Sequence, residues 1–196
     1  SGWNGAGGTA PLNPYLGTED IYVLKLNSNG GYLWHTFYGS ALGNASGFAV
    51  AVNSSGDAFI TGWTDATWDG PGAVAPIYPF QGNDDFVLLA LNSSGAYAWH
   101  AFYGSSRWEL GYGIALDNAS NTYVTGQNGG TWNGPSGEAP LNAFTGGSDI
   151  AVIRTATAQP TVTTLAATSV SPGEATLNMR YTTGGFNAVD VRYSYK

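Results

Sequence analysis

The chain has 196 residues, a formal net charge of −7, 29 glycines and 14% aromatic residues, but only six Lys and Arg and no cysteine. So few and scattered cations exclude a nucleic-acid backbone as the expected partner, because phosphate binding needs clustered Lys and Arg. Missing cysteines remove disulfides, thiol nucleophiles and thiolate metal sites together, and with no long apolar run and no basic, apolar leader the sequence reads as neither membrane-spanning nor visibly carrying a signal peptide, which a processed chain would have lost.

In chain order, Trp3–Tyr15 opens a segment that recurs as Trp68–Phe80 and Trp132–Phe144, spaced by 65 and then 64 residues. After the first copy, period-two alternation and β-branched or aromatic content predict strands at Ile21–Leu26, Tyr32–Tyr38, Gly47–Val52 and Asp57–Gly62. The second copy predicts Phe86–Leu91, Tyr97–Tyr103, Gly113–Leu116 and Asn121–Gly126, and a first strand of a further copy follows at Asp149–Arg154. Asn27–Gly30, Asn92–Gly95, Asn53–Gly56 and Asp117–Asn121 lie between consecutive strands. Such Asn, Ser and Gly clusters are hairpin signals.

Each unit thus reads as a four-stranded meander, with a Trp-to-Phe loop of about twenty residues leading to the next unit. Tandem four-stranded antiparallel sheets predict an all-β fold of propeller-type blades, here an incomplete propeller, since closed rings typically need four to eight blades. The ends of the chain stop inside recognisable modules, which predicts either a piece of a longer protein or assembly with neighbouring copies.

Residues 1–154 carry a family resemblance. The paired motifs Trp34–Ser40 and Trp99–Ser105, and the strand ends Phe59–Gly62 and Tyr123–Gly126, resemble the bacterial β-propeller repeat known as SBBP. That resemblance implies a large secreted or surface protein, hence an extracellular or bacterial cell-surface location, and it implies architecture more than chemistry. Charge shifts near the end: residues 1–158 hold eleven acidic and three basic side chains, whereas 159–196 hold two and three. The low-charge stretch Thr155–Thr164 reads as a linker between a repeat region, 1–158, and a C-terminal segment, 159–196. Pro160–Tyr181 and Val189–Tyr195 are similar to part of a fibronectin type III or immunoglobulin-like module, implying a partial β-sandwich.

Candidate functional residues follow the repeats. His35 and His100 occupy matching strand positions beside Trp34 and Trp99 and are expected on separate blades, as repeated polar positions. Asp20, Asp84, Asp85 and Asp149 precede equivalent strands, where a carboxylate is expected to hold local backbone N–H groups. Asn53–Asp57 and Asp117–Asn121 superficially resemble oxygen-rich calcium loops but lack the regular acidic positions, so plain turns are expected. The loops carrying Trp3, Trp68 and Trp132, each followed by Asn4, Asp69 or Asn133, offer two readings: aromatic rings and amides for glycan or protein contact, or small satellite cores.

No phosphate loop, HExxH, GxSxG or triad pattern is present, so the chain is not expected to be an enzyme, and neither a metal nor a cofactor is expected. The leading expectation is an extracellular or cell-surface structural protein that self-assembles through incomplete β-modules, as a filament or matrix component. The alternative is a carbohydrate- or protein-binding propeller using the Trp loops; a hydrolase or lyase built on Asp85 or Asp149 comes last.

Overall fold

A computed structural model of the chain describes residues 2–156, 161–171, 174–182 and 189–195. It contains two compact units, Ser1–Thr155 and Ala156–Lys196. Among the described residues the regular structure is antiparallel β-sheet, with one 3-10 turn at Ala6–Gly8.

The first unit holds nine strands: β1 (Ile21–Leu26), β2 (Tyr32–Tyr38), β3 (Ala45–Val52), β4 (Ala58–Thr64), β5 (Asp85–Leu91), β6 (Tyr97–Tyr103), β7 (Glu109–Leu116), β8 (Thr122–Asn128) and β9 (Asp149–Thr155). They form sheets of two, four and three strands, β1-β2, β3-β4-β5-β6 and β7-β8-β9, none of them closed. The turns work as their composition predicts. Asn27, Asn53, Asn92 and Asp117 each accept hydrogen bonds from the backbone N–H groups two and four residues on, at 2.8–3.0 Å. Gly30, Gly56 and Gly95 then supply a positive φ of 76 to 84°, a place taken in the fourth turn by Ser120 at 62°.

The grouping of strands differs from the expected one. Four consecutive predicted strands, β1 to β4, do not share a sheet; β4 instead pairs with β5 along its whole length, from Ala58↔Leu91 to Thr64↔Asp85, across the Trp68 loop. That loop therefore belongs to a sheet instead of linking two of them. The physical reason lies on the outer strands, whose free edges the Trp loops occupy. Leu12 N–H donates to His35 C=O at 2.9 Å and Phe37 N–H to Asn13 C=O at 3.2 Å, while on β6 His100 C=O accepts from Ile77 N–H at 2.9 Å and Phe102 N–H donates to Tyr78 C=O at 3.1 Å. With its outer edge filled, β2 has no ladder left for β3.

β5 is the centre of the unit, with all seven residues buried. Its alternation splits them: Val87, Leu89 and Leu91 join Ile21, Tyr38 and Ile60 in one apolar cluster, and Phe86 and Leu88 join Val124 and Ile153 in a second. Sheet packs on sheet on both sides of it.

The second unit is an antiparallel meander of β10 (Thr161–Ser171), β11 (Glu174–Thr182) and β12 (Val189–Tyr195). Register runs from Thr161↔Thr182 and from Ala175↔Tyr195. The expected linker is strand from Thr161 onward, whereas its residues 157–160 lie outside the described ones.

Candidate functional site

Each outer strand and its Trp loop build the same aromatic site. The indole of Trp3 stacks on the imidazole of His35 with centroids 4.2 Å apart, and Trp68 stacks on His100 at 3.8 Å with planes 7° apart. Two hydrogen bonds lock each ring. Nε2 of His35 lies 2.8 Å from the Trp3 carbonyl and Nδ1 2.6 Å from the Tyr32 hydroxyl; for His100 the partners are the Trp68 carbonyl at 3.0 Å and Tyr97 at 2.7 Å. A carbonyl only accepts, so Nε2 carries the proton and the tyrosine hydroxyl donates to Nδ1.

Both imidazoles are fully buried. For His100, burial lowers the pKa to about 4, against which the bond to the Trp68 carbonyl works in the opposite sense. Burial likewise pushes the Tyr97 hydroxyl up to about 12. Doubly bonded and on different sheets, these histidines have no free nitrogen for a metal or a substrate proton.

Gly5 and Gly70 make the site fit. A Cβ on either would run into the ring of Tyr32 or Tyr97. Each loop is closed by the same five-residue bond: Gly5 N–H to Thr9 C=O at 2.8 Å, Gly70 to Val74 at 2.7 Å and Gly134 to Glu138 at 2.7 Å.

The three tryptophans end in different surroundings. Trp3 is 42% exposed and Trp68 6%, with Asn4 and Asp69 beside them on the surface. Trp132 has no stacked imidazole among the described residues; its Nε1 donates to Asn128 Oδ1 at 2.8 Å. Beside it, next to exposed Asn133, opens a cleft of about 430 Å³ lined by Tyr78, Phe102, Tyr103, Ser105, Trp132 and Gly134.

Asp20, Asp85 and Asp149 end the Trp loops, each accepting from the backbone N–H four residues earlier: Leu16 at 2.7 Å, Gln81 at 2.7 Å and Thr145 at 2.8 Å. Asp84 instead donates its backbone N–H to the Arg107 carbonyl at 3.2 Å. The two calcium-like segments spend their side chains on turns, Asn53 bonding Asp57 and Asp117 bonding Asn121, while Asp57 Oδ1 also accepts from Ser93 N–H at 3.0 Å in the next turn.

Sequence reading missed Glu109. It begins β7, where β3 begins with Ala45, and both are fully buried. Asp85 Oδ1 and Glu109 Oε2 each lie 2.5 Å from the one point that a Gly104 Cβ would occupy, so the two carboxyl groups face each other. Asp85 Oδ1 has no hydrogen-bond partner, while Glu109 accepts from Ser105 N–H at 2.7 Å and Ser105 Oγ at 2.9 Å. Burial first, opposed by the Gln81 N–H and reinforced by the charges of Glu109 and Asp84, raises Asp85 to about 7; burial also raises Glu109. The signal in sequence was the break in the repeat, a charged residue where the preceding copy has alanine. Both groups are closed off from the cleft surface, a location suited to packing two sheets and not to reaching a substrate.

Equivalent positions expose two apolar faces. Val87, Leu89 and Leu91 of β5 are completely buried, yet Tyr22, Leu24 and Leu26 at the same places in β1 are 39–61% exposed. At the other end Ile150 and Val152 of β9 are 83% and 69% exposed, although Phe86 and Leu88 at those places in β5 are 1% exposed. The first face corresponds to the side of a sheet that receives a neighbour, the second to the side that is received.

Among the described residues no three His, Asp or Glu side chains gather as a metal site, and no helix is long and apolar enough to cross a membrane. Compared with known proteins, the chain matches no protein-family model and no curated protein.

Proposed function

We propose that the chain is a structural protein of the cell exterior that self-associates, its β-repeats stacking face to face with those of neighbouring copies. The sheets are propeller-type blades in this reading, in keeping with the SBBP resemblance, and the C-terminal unit is a partial fibronectin-like module. The observation that carries the proposal is the contrast between Leu24 in β1, 39% exposed, and Leu89 at the same place in β5, 0% exposed. A position designed for burial is open at one end of the array, and Ile150 and Val152 match it at the other.

Magnitudes set the character of the association. Burying five large side chains at about 2 kcal/mol each gives about 10 kcal/mol, comparable with the about 4–15 kcal/mol lost on association. Contacts between copies are therefore reversible, and they strengthen when several copies are tethered or crowded together. Because the two faces differ, front packs on back, a heterologous contact that makes rings or filaments and not closed twofold dimers. No turnover and no cofactor enter this function.

The test is sedimentation over a concentration series. The chain is expected to gain mass as concentration rises, and Leu24→Asp or Ile150→Asp to keep it monomeric with an unchanged β-sheet spectrum. A monomer at all concentrations contradicts the proposal.

A further inference from the structure

Among the described residues there are three Trp loops of one design but two strands that fill them. In the first two, a strand of pattern Tyr-Xaa-Trp-His-Xaa-Phe-Tyr, Tyr32–Tyr38 or Tyr97–Tyr103, lies beside its sheet partner and seats its tyrosine against the loop glycine and its histidine under the indole. The third loop keeps every loop-side element. Gly134 stands where Gly5 and Gly70 admit a tyrosine ring, the Gly134-to-Glu138 bond closes the loop, and Trp132 is held by Asn128. The cleft of about 430 Å³ opens beside Trp132 and Gly134 and is lined by Tyr103, the counterpart of the Tyr38 on which the Tyr97 ring packs in the second loop.

The strand side is prepared as well. β9 is the counterpart of β5, and β5 carries β6 on the edge that β9 leaves without a strand in its sheet, β7-β8-β9. Backbone groups on such an edge are a template for one more strand.

We infer that the β9 edge and the Trp132 loop together form a docking site for a β-strand of the repeat's own pattern, Tyr-Xaa-Trp-His-Xaa-Phe-Tyr, supplied by β2 of a second copy. The partner rests on the assembly reading above; the socket does not. β2 is the donor because β1 is its one partner strand in a two-stranded sheet, whereas β6 is held in the four-stranded sheet on β5, which is buried along its whole length. On docking, the ladder to β1 is replaced by a ladder to β9, and the Trp3–His35 stack by a Trp132–His35 stack, so contacts are exchanged in kind, as in domain swapping. A loop that already holds its bound shape loses little entropy when the strand arrives.

The probe is a synthetic peptide spanning Gly31–Ser40, titrated into the whole chain and followed by calorimetry and tryptophan fluorescence. One peptide is expected per chain, with affinity falling at least tenfold when the peptide carries His35→Ala, and again when the chain carries Gly134→Ala. A Cβ at Gly134 meets the Glu138 side chain alone in the free chain, its Oε2 at 2.5 Å and its Cβ at 3.3 Å, so the variant is expected to fold with Glu138 turned aside, which its β-sheet spectrum checks. No binding at millimolar peptide, equal binding by the His35→Ala peptide, or equal binding by the Gly134→Ala chain overturns the inference. So does a fluorescence response to gluco-oligosaccharides without one to the peptide, which would make the cleft a sugar site. Peptide binding by a chain that sediments as a monomer would contradict face-to-face assembly while leaving the socket in place; concentration-dependent mass without peptide binding would do the reverse.

Discussion

The indole of Trp68 lies flat on the imidazole of His100, 3.8 Å between centroids, and the carbonyl of the same tryptophan takes the imidazole proton. One residue thus covers the ring and fixes its tautomer, which makes the Trp loop part of the sheet's core.

Replacing Trp68 by Ala is expected to cost about 3–5 kcal/mol, the range for a large aromatic removed from a packed interior. Trp3→Ala is expected to cost less, because Trp3 is 42% exposed where Trp68 is 6%. Denaturant unfolding of the two variants measures the difference; equal losses would show that burial does not decide the value of the stack.

The pH dependence carries two opposed contributions. His100 is lowered to about 4 in the folded chain, so the unfolded chain binds more protons between about pH 4 and 6.5 and stability from this group rises with pH across that window. Asp85 is raised to about 7, so the folded chain binds more protons from about pH 4 to 7 and stability from this group falls as pH rises. Asp85→Asn is expected to remove the fall and raise the melting temperature above pH 7, since an amide still accepts the Gln81 N–H and can donate toward Glu109. His100→Phe is expected to lower the melting temperature at neutral pH and to remove the acid-side loss. Melting curves at half-unit pH steps read both slopes.

Glu109 shapes the same titration. Its charge helps to raise Asp85, although burial acts more strongly, so Glu109→Gln is expected to bring the Asp85 titration down from about 7 without returning it to the ordinary carboxylate range. Carboxyl chemical shifts followed by NMR give the value directly; an unchanged titration would remove the coupling across Gly104.

Ser120 holds φ at 62° where three sister turns use glycine. Ser120→Gly is expected to stabilise the chain by about 0.5–1 kcal/mol, the relief of the left-handed conformation minus the extra freedom of glycine in the unfolded chain. Chemical denaturation resolves a change of that size.

Local structure was largely legible in the sequence. β1, β2 and β6 have the expected bounds, because alternation and Asn-Ser-Gly turns are local signals. β3 and β7 begin earlier than expected, at Ala45 and Glu109, since the register slips between Gly47 and Ala49 and again between Gly111 and Gly113 and breaks the alternation there. The partnership of strands was not legible: whether β2 pairs with β3 depends on Leu12 and Asn13 reaching across to its outer edge, as Ile77 and Tyr78 do on β6, a long-range contact without a periodic signature. The histidine–tryptophan sites could be read only as repeated positions, as their stacking joins residues 32 apart. Glu109 was visible only as a departure from the repeat, and its meeting with Asp85 required the packing of two sheets.

The absence of cysteine from the chain allows front-to-back contact to be tested by crosslinking. Leu24→Cys and Ile150→Cys chains would be oxidised separately and as a mixture, and the crosslinked products weighed by mass spectrometry. Front-to-back stacking is expected to give the mixed dimer in large excess over either homodimer; homodimers of Leu24→Cys in preference to the mixed species, or no crosslinking at all at concentrations where the chain associates, would contradict it.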